Sequence, residues 1–241
     1  SDFSQRPLVT RQYVLRSPDR GRTWTVLPGR QPDGWFAAGF GRMDEGRPIA
    51  LEGRNVLFMA RTTAGRLFTA WSADDGLTWT PPAPSPLVHP DAPPMLFPLS
   101  DGRTLAAFHH NRLPPREDGN LSMKSEAMTA RAEIWVSTST DGGHTWTEPR
   151  LLLVNAMVPD LENGWRNHQC SYLDAFADRG TLHLFMPHRW QQALHLTLPE
   201  KALSQLPTKS EWQQAATVRR SEEHTSNSSH ANISYAVFCL K

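Results

Sequence analysis

Short apolar runs separated by turn-forming residues dominate the chain. Clear examples are 56–60, 67–71, 105–108, 134–136 and 182–185. Each run is too short for a typical helix and has Gly, Asp or Asn close by on at least one side, a pattern that favours β-strands. The distribution of apolar and polar positions therefore predicts an all-β protein.

An eight-residue turn motif follows three of the apolar runs. The pattern Ser-x-Asp-x-Gly-x-Thr-Trp occupies residues 17–24, 72–79 and 139–146 without a gap in any copy. Its Asp can accept hydrogen bonds from the amides of the turn, its Gly permits positive φ, and its Trp can fold back as an apolar plug. The motif predicts a tight turn between two antiparallel strands rather than a catalytic centre.

Larger repeat units surround these turns. Units starting near Arg47, Met95 and Tyr172 each contain three or four short strands. Repeats of this length made of four-stranded units are typical of a β-propeller, and about three to four blades fit into this chain. The proline-rich segments 81–86 and 90–94 are predicted to be spacers between blades, because Pro is excluded from central strands. The polar segment 112–130 is predicted to be a loop.

Composition and charge narrow the range of partners. The 241 residues include 25 basic and 24 acidic residues, a net charge of +1, which does not suggest a nucleic-acid or membrane partner. No apolar run is long enough for a membrane span. With only Cys170 and Cys239 there is no disulfide framework, and the compartment stays open. The histidines lack zinc-type spacing on a credible helix, which disfavours a metal enzyme, and no cofactor is implied.

The ends of the chain differ from its middle. It starts at Ser1 without an initiator Met or a signal peptide, so we expect it to be the later part of a longer protein. Residues 1–205 are predicted to form a partial propeller domain, and residues 206–241 a non-native or disordered tail. From Arg220 onward the turn pattern is lost. The first residues of that stretch resemble a translated sequencing adapter, so we suspect that 220–241 is a read-through artefact.

Antiparallel topology predicts that a set of reactive side chains meets on one face. The turns after the first and third strands of each blade share one end of the sheet, which leaves Glu45, Arg61, Arg131 and Tyr172 at the opposite end. Each alone has an ordinary structural explanation. Together they suit an anionic sugar, because Arg binds a carboxylate bidentately. A phenol with a pKa of about 10 attacks only when a base such as Glu45 removes its proton.

The turn motifs resemble the Asp-boxes of the sialidase (neuraminidase) superfamily, whose fold is a six-bladed β-propeller. Met43-Asp44-Glu45-Gly46-Arg47 leading to Arg61 is similar to the segment that bears the nucleophile-assisting Glu and the second Arg of the carboxylate-binding triad. Arg131, eight residues ahead of Ser139, resembles the third Arg. The segment 170–174 resembles the nucleophile strand and implies Tyr172 as the nucleophile, although a second alignment places Cys170 in that position.

The resemblance implies an exo-α-sialidase-like glycoside hydrolase fragment. The parent would remove terminal sialic acids with retention through a Tyr nucleophile, so the expected partner is a sialylated glycan or another anionic sugar. The family's first Arg and its acid/base Asp have no counterpart here, and we therefore expect this chain alone to be inactive or nearly so. The alternative is a non-catalytic Asp-box propeller that binds glycan or protein, which predicts that Arg61 and Arg131 point apart.

Overall fold

Strands account for most of the regular structure of the chain. The computed structural model describes residues 10–30, 32–112, 131–154, 170–188 and 192–214. Within these ranges lie a 3-10 helix at Glu200–Gln205, a short helical stretch at 209–214 and the following strands: β1 (Val14–Arg16), β2 (Thr25–Leu27), β3 (Met43–Ala50), β4 (Val56–Thr62), β5 (Arg66–Ser72), β6 (Ala83–Val88), β7 (Met95–Pro98), β8 (Leu105–His109), β9 (Glu133–Ser139), β10 (Arg150–Val154), β11 (Asp174–Asp178), β12 (Thr181–His188) and β13 (Gln192–Pro199). Among the described residues, no helix combines the length and the apolar character needed to cross a membrane.

The strands form four antiparallel sheets in which neighbours in sequence are neighbours in space. β3 to β6 make one four-stranded sheet, the first complete blade, and β7 to β10 make another, the second complete blade. A two-stranded sheet of β1 and β2 precedes them, and a three-stranded sheet of β11 to β13 follows. The predicted all-β propeller with an incomplete set of about three to four blades is confirmed.

The apolar core lies between successive sheets. Along β4, Phe58 and Ala60 belong to a cluster shared with Val14 from the two-stranded sheet. Leu57 and Met59 point the other way, into a cluster shared with Leu96, Leu105 and Ala107 of the second complete blade. Successive side chains of a strand alternate between faces, and both faces of β4 are covered. This double burial explains why β4 is apolar without interruption from Val56 to Ala60.

A third cluster joins the second complete blade to the last sheet. Phe108, Ile134 and Val136 pack there with Leu182 and Leu184. Leu206 also belongs to this cluster, and the carbonyl of Pro207 accepts the main-chain N–H of Leu151 at 2.8 Å. Packing thus continues past residue 205, where the sequence placed the end of the propeller. The residues from 215 onward and the segment 113–130 lie outside the described residues.

The proline-rich segment after the second turn motif is a strand. The prediction that 81–86 is only a spacer was wrong, because β6 begins at Ala83 and pairs Pro84 with Phe68 of β5. β6 is the edge strand of its sheet. Pro is tolerated there because the N–H groups on the outer side of an edge strand have no partner strand. Only the segment 89–94 connects the two complete blades.

Each of the three turn motifs has the same pattern of internal hydrogen bonds. In each copy the Thr main-chain N–H donates to an Asp oxygen, at 2.7 Å for Thr23, 2.8 Å for Thr78 and 2.9 Å for Thr145. The Ser hydroxyl donates to the same carboxylate, and the Trp indole N–H donates to the Gly carbonyl. The hydrogen bonds from Thr78 lower the pKa of the Asp74 carboxyl to about 2. The predicted turn geometry is therefore confirmed.

Candidate functional site

A bulge in β3 positions Glu45. The pairing of β3 with β4 is regular up to Asp44, which lies opposite Arg61, and shifts register before Arg47. Glu45 adopts a φ of 48°, in the left-handed region that non-glycine residues rarely occupy. Its Oε2 atom lies 2.5 Å from Nη1 of Arg61. β3 therefore begins at Met43, ahead of the repeat unit expected from Arg47, and its irregular start brings Glu45 into contact with Arg61.

Arg61, near the end of β4, is a buried cation held by two carboxylates. Its exposed fraction is 1%. Nε lies 2.6 Å from Oδ1 of Asp91, and Nη1 contacts Glu45. Burial disfavours the charged guanidinium, but the carboxylates of Asp91 and Glu45 outweigh it and raise the pKa of Arg61. The side chain is thus charged and fixed in orientation.

Arg131 reaches the same place from the second complete blade. It lies just before β9, has an exposed fraction of 1%, and donates from Nη2 to the main-chain oxygen of Asp91. Its Nη1 donates to Oγ of Ser171 at 3.3 Å. Burial, followed by the nearby charge of Arg61, lowers the pKa of Arg131 to about 10. At neutral pH both arginines are therefore charged, and they lie close enough to interact.

The two nucleophile candidates lie in very different surroundings. Tyr172, just before β11, is 41% exposed and has a φ of 60°. Its phenol is near enough to Arg131 to influence the pKa of that guanidinium. Cys170 is buried, and its Sγ donates to the Arg131 carbonyl at 3.1 Å. Burial raises the pKa of the Cys170 thiol, which makes it a poor nucleophile in this state.

Asp91 and Arg42 are central to this cluster and were missed in the sequence. Arg42 places Nη1 3.3 Å from Oδ2 of Asp91 and Nε 2.7 Å from Oδ2 of Asp44. Burial raises the pKa of Asp44. A usable signal existed, because Asp91 is the one acid in the apolar, proline-rich connector between the two complete blades. A buried acid needs a partner, so its presence there points to a nearby cation.

The structure joins Glu45, Arg61 and Arg131 in one network and places Tyr172 beside it. Arg61 and Arg131 both contact Asp91, through its carboxylate and its carbonyl respectively. Glu45 contacts Arg61, and Tyr172 follows the Ser171 that Arg131 contacts. The two arginines therefore contact the same residue. We refer to Glu45, Arg61, Arg131 and Tyr172 as the candidate site.

Tryptophan and histidine side chains outside the candidate site have structural roles where the structure describes them. Trp35 packs against Phe58 with ring centroids 5.2 Å apart, as part of the core. His109 is buried and contacts the Val88 carbonyl and the Ser137 hydroxyl, each at 3.1 Å. Among the described residues, no group of three or more His, Cys, Asp or Glu side chains could hold a metal ion. Trp165, His168 and Trp190 lie outside the described residues.

The successive antiparallel sheets and the repeated turn motifs define the chain as an all-β protein of the β-propeller type. A family model described as "BNR repeat-like domain" matches residues 9–184. The chain therefore belongs to the BNR repeat-like domain family. No curated protein sequence matches it.

Solved structures share parts of this fold. The leech intramolecular trans-sialidase complexed with 2,7-anhydro-Neu5Ac is 15% identical with a TM-score of 0.50, covering 78% of this chain and 27% of that one. The Trypanosoma rangeli sialidase is 16% identical (TM-score 0.47; 88% and 29% covered), and the α-L-arabinofuranosidase of Podospora anserina is 19% identical (0.46; 80% and 54%). The leech likeness supports the propeller fold alone. The chain spans about a quarter of that enzyme's length.

Proposed function

We propose that this chain is part of an exo-α-sialidase-like glycoside hydrolase and that the candidate site binds the carboxylate of a terminal sialic acid. One observation carries the proposal: Arg61 and Arg131, from different blades, are both almost fully buried and both contact Asp91. Burying two guanidinium groups close together costs free energy unless nearby anions compensate their charges. Those anions belong either to a bound ligand or to a structural ion network. The reactive groups beside them favour the first explanation.

In the proposed reaction each residue has one role. Arg61 and Arg131 hold the carboxylate of the sugar. The oxygen of Tyr172 attacks the anomeric carbon while Glu45 accepts the phenolic proton, and the leaving-group oxygen departs with the bonding electron pair and takes up a proton from water. Water then attacks the anomeric carbon and loses a proton to solvent, while Glu45 returns its proton to the departing oxygen of Tyr172, and the two successive displacements give retention. Sialidases with a Tyr nucleophile are a known exception to the scheme that uses two carboxylates.

A covalent trap tests the nucleophile. A sialosyl fluoride with a second fluorine at C3 needs no general acid, because fluoride leaves without a proton. It should therefore react even though the chain has no motif for the family's acid/base Asp, and even if hydrolysis of a fluorogenic sialoside is undetectable. We expect intact-mass analysis to show one added sugar, mapped to Tyr172 and lost in Tyr172→Phe. The Tyr13→Phe variant is the control and should be labelled normally.

A label on Cys170 would contradict the assignment of Tyr172. The absence of any label, combined with measurable sugar binding, would favour the non-catalytic glycan-binding propeller. One observation speaks for that alternative: Nε and Nη1 of Arg61 are already paired with Asp91 and Glu45. A purely structural ion network would have the same contacts.

Binding can be measured separately from catalysis. By saturation-transfer NMR we expect N-acetylneuraminate to bind at least about tenfold more tightly than its methyl ester, which lacks the charge for the two arginines. The Arg131→Met variant should lose this preference, whereas Arg103→Met, at an exposed position away from the candidate site, should keep it. Equal affinities for acid and ester would contradict the proposal.

A further inference from the structure

The connector between the two complete blades, residues 89–94, is held by a neutral histidine. Nδ1 of His89 accepts the main-chain N–H of His110 at 3.2 Å, so the ring proton is on Nε2. Nε2 lies 3.1 Å from the carbonyl oxygen of Ala92 and 3.2 Å from that of Pro93, and donates to both. Burial lowers the pKa of His89 well below its ordinary value, which keeps the ring neutral. His89 therefore fixes the short loop that contains Asp91.

Asp91 uses both its side chain and its main chain to contact arginines. Its carboxylate lies between Arg61, at 2.6 Å, and Arg42, at 3.3 Å. Its carbonyl accepts a hydrogen bond from Arg131. Arg61 belongs to the first complete blade and Arg131 to the second, so a single residue of the connector contacts one arginine from each blade.

We propose that Asp91 is a positioning residue that sets the separation and orientation of the Arg61 and Arg131 guanidinium groups. This inference rests on the proposed function, because the separation matters only if the two groups bind one ligand. A planar carboxylate needs donors at defined positions, and long Arg side chains have many rotamers. The contact of Asp91 with Nε restricts the Arg61 side chain before a ligand binds. The side chain therefore loses less conformational entropy on binding.

The test compares Asp91→Ala and Asp91→Asn with wild type. Asp91→Ala removes both carboxylate contacts, and Asp91→Asn keeps one oxygen acceptor. We expect the Kd for N-acetylneuraminate to rise at least about tenfold in Asp91→Ala and by a smaller factor in Asp91→Asn. The matched control is Asp75→Asn, which removes an exposed ion pair to Arg54 of 2.8 Å and should leave the Kd unchanged. All measurements are made at low temperature on protein shown to be folded by its amide NMR spectrum.

A second pair of variants tests Asp91 indirectly, through the loop that contains it. His89→Gln keeps a donor near the position of Nε2 and should bind N-acetylneuraminate nearly as wild type does. His89→Leu removes the donor, releases the loop and should weaken binding as Asp91→Ala does. A purely structural role would lower the unfolding midpoint of these variants without changing the Kd of the folded protein. An unchanged Kd in Asp91→Ala would therefore overturn the proposal.

Two further outcomes of the binding measurements lead to different conclusions. Tighter binding by Asp91→Ala would show that Asp91 competes with the ligand for Arg61, which overturns the positioning role. If wild type binds no N-acetylneuraminate, the proposed function fails, and the Nε–H NMR signal of Arg61 tests positioning without a ligand. We expect exchange of that proton with water to be slow in wild type and at least about tenfold faster in Asp91→Ala. Equal exchange rates would overturn the proposal independently.

Discussion

At the scale of single residues, the main feature is a group of buried charges that satisfy one another. Arg61 is almost inaccessible to solvent, and the carboxylates of Glu45 and Asp91 compensate its charge. Removing one partner from such a group leaves the others charged in a medium that solvates them poorly. The cluster is therefore sensitive to single substitutions, unlike the ion pairs at the surface.

The first prediction concerns this sensitivity. Arg61→Met should lower the free energy of unfolding by about 3–5 kcal/mol, because the buried carboxylate of Asp91 loses its nearest cation inside the protein. Arg54→Met, which removes an ion pair to Asp75 between largely exposed side chains, should cost far less. Urea unfolding followed by tryptophan fluorescence measures both. Similar losses in the two variants would mean that the buried cluster contributes no more than a surface pair.

At the scale of elements, turn motifs with the same internal hydrogen bonds differ in their packing. Trp146 packs against the cluster between the two complete blades, and Gly143 leaves no room for a side chain beside Leu57. Trp24 is 60% exposed, although its indole makes the same hydrogen bond within its motif. The motif thus determines a turn, and the neighbouring sheet determines how much that turn contributes to stability.

A comparison of two tryptophan variants follows from this difference. Trp146→Ala should lower the free energy of unfolding by about 2 kcal/mol, since it opens space next to the core. Trp24→Ala should cost less than about 1 kcal/mol, because that side chain buries little surface. Chemical denaturation monitored by far-UV circular dichroism gives both values. Equal costs would show that the local turn, and not tertiary packing, determines the contribution of the motif.

At the scale of the whole molecule, the sheets stabilise one another face to face. Apolar clusters lie between each pair of successive sheets, so both complete blades are covered on both sides. Close to one of these junctions lie three buried histidines, His89, His109 and His110. Burial lowers the pKa of His109 to about 4 and that of His110 to about 3. The folded protein therefore keeps these rings neutral.

The protein should lose stability in mild acid. Above the ordinary histidine pKa of 6.5 both states are neutral and stability is fully present. As the pH falls from 6.5 toward 4, the unfolded chain binds protons that the folded chain does not, and stability falls. For His109 alone the loss between pH 7.5 and 5 is about 2 kcal/mol. Urea unfolding at both pH values should show a smaller drop for His109→Gln than for wild type, and equal drops would contradict this assignment.

The sequence predicted the repeated elements better than the contacts between them. The turn motifs and the apolar runs are local patterns, and both appear where they were expected. The role of segment 81–86 was misjudged because the rule against Pro in strands depends on whether a strand is central or at an edge, which is a tertiary property. Asp91 was missed for a related reason, since its partners come from distant parts of the chain.

The separation of the two arginines along the chain determines when the candidate site forms during folding. Arg61 and Arg131 are 70 positions apart along the chain, and only the docking of two separately formed meanders brings them together. Hairpins close quickly, whereas contacts between remote segments form late. Affinity for an anion should therefore appear only in the final kinetic phase of refolding, after most of the strand signal has recovered.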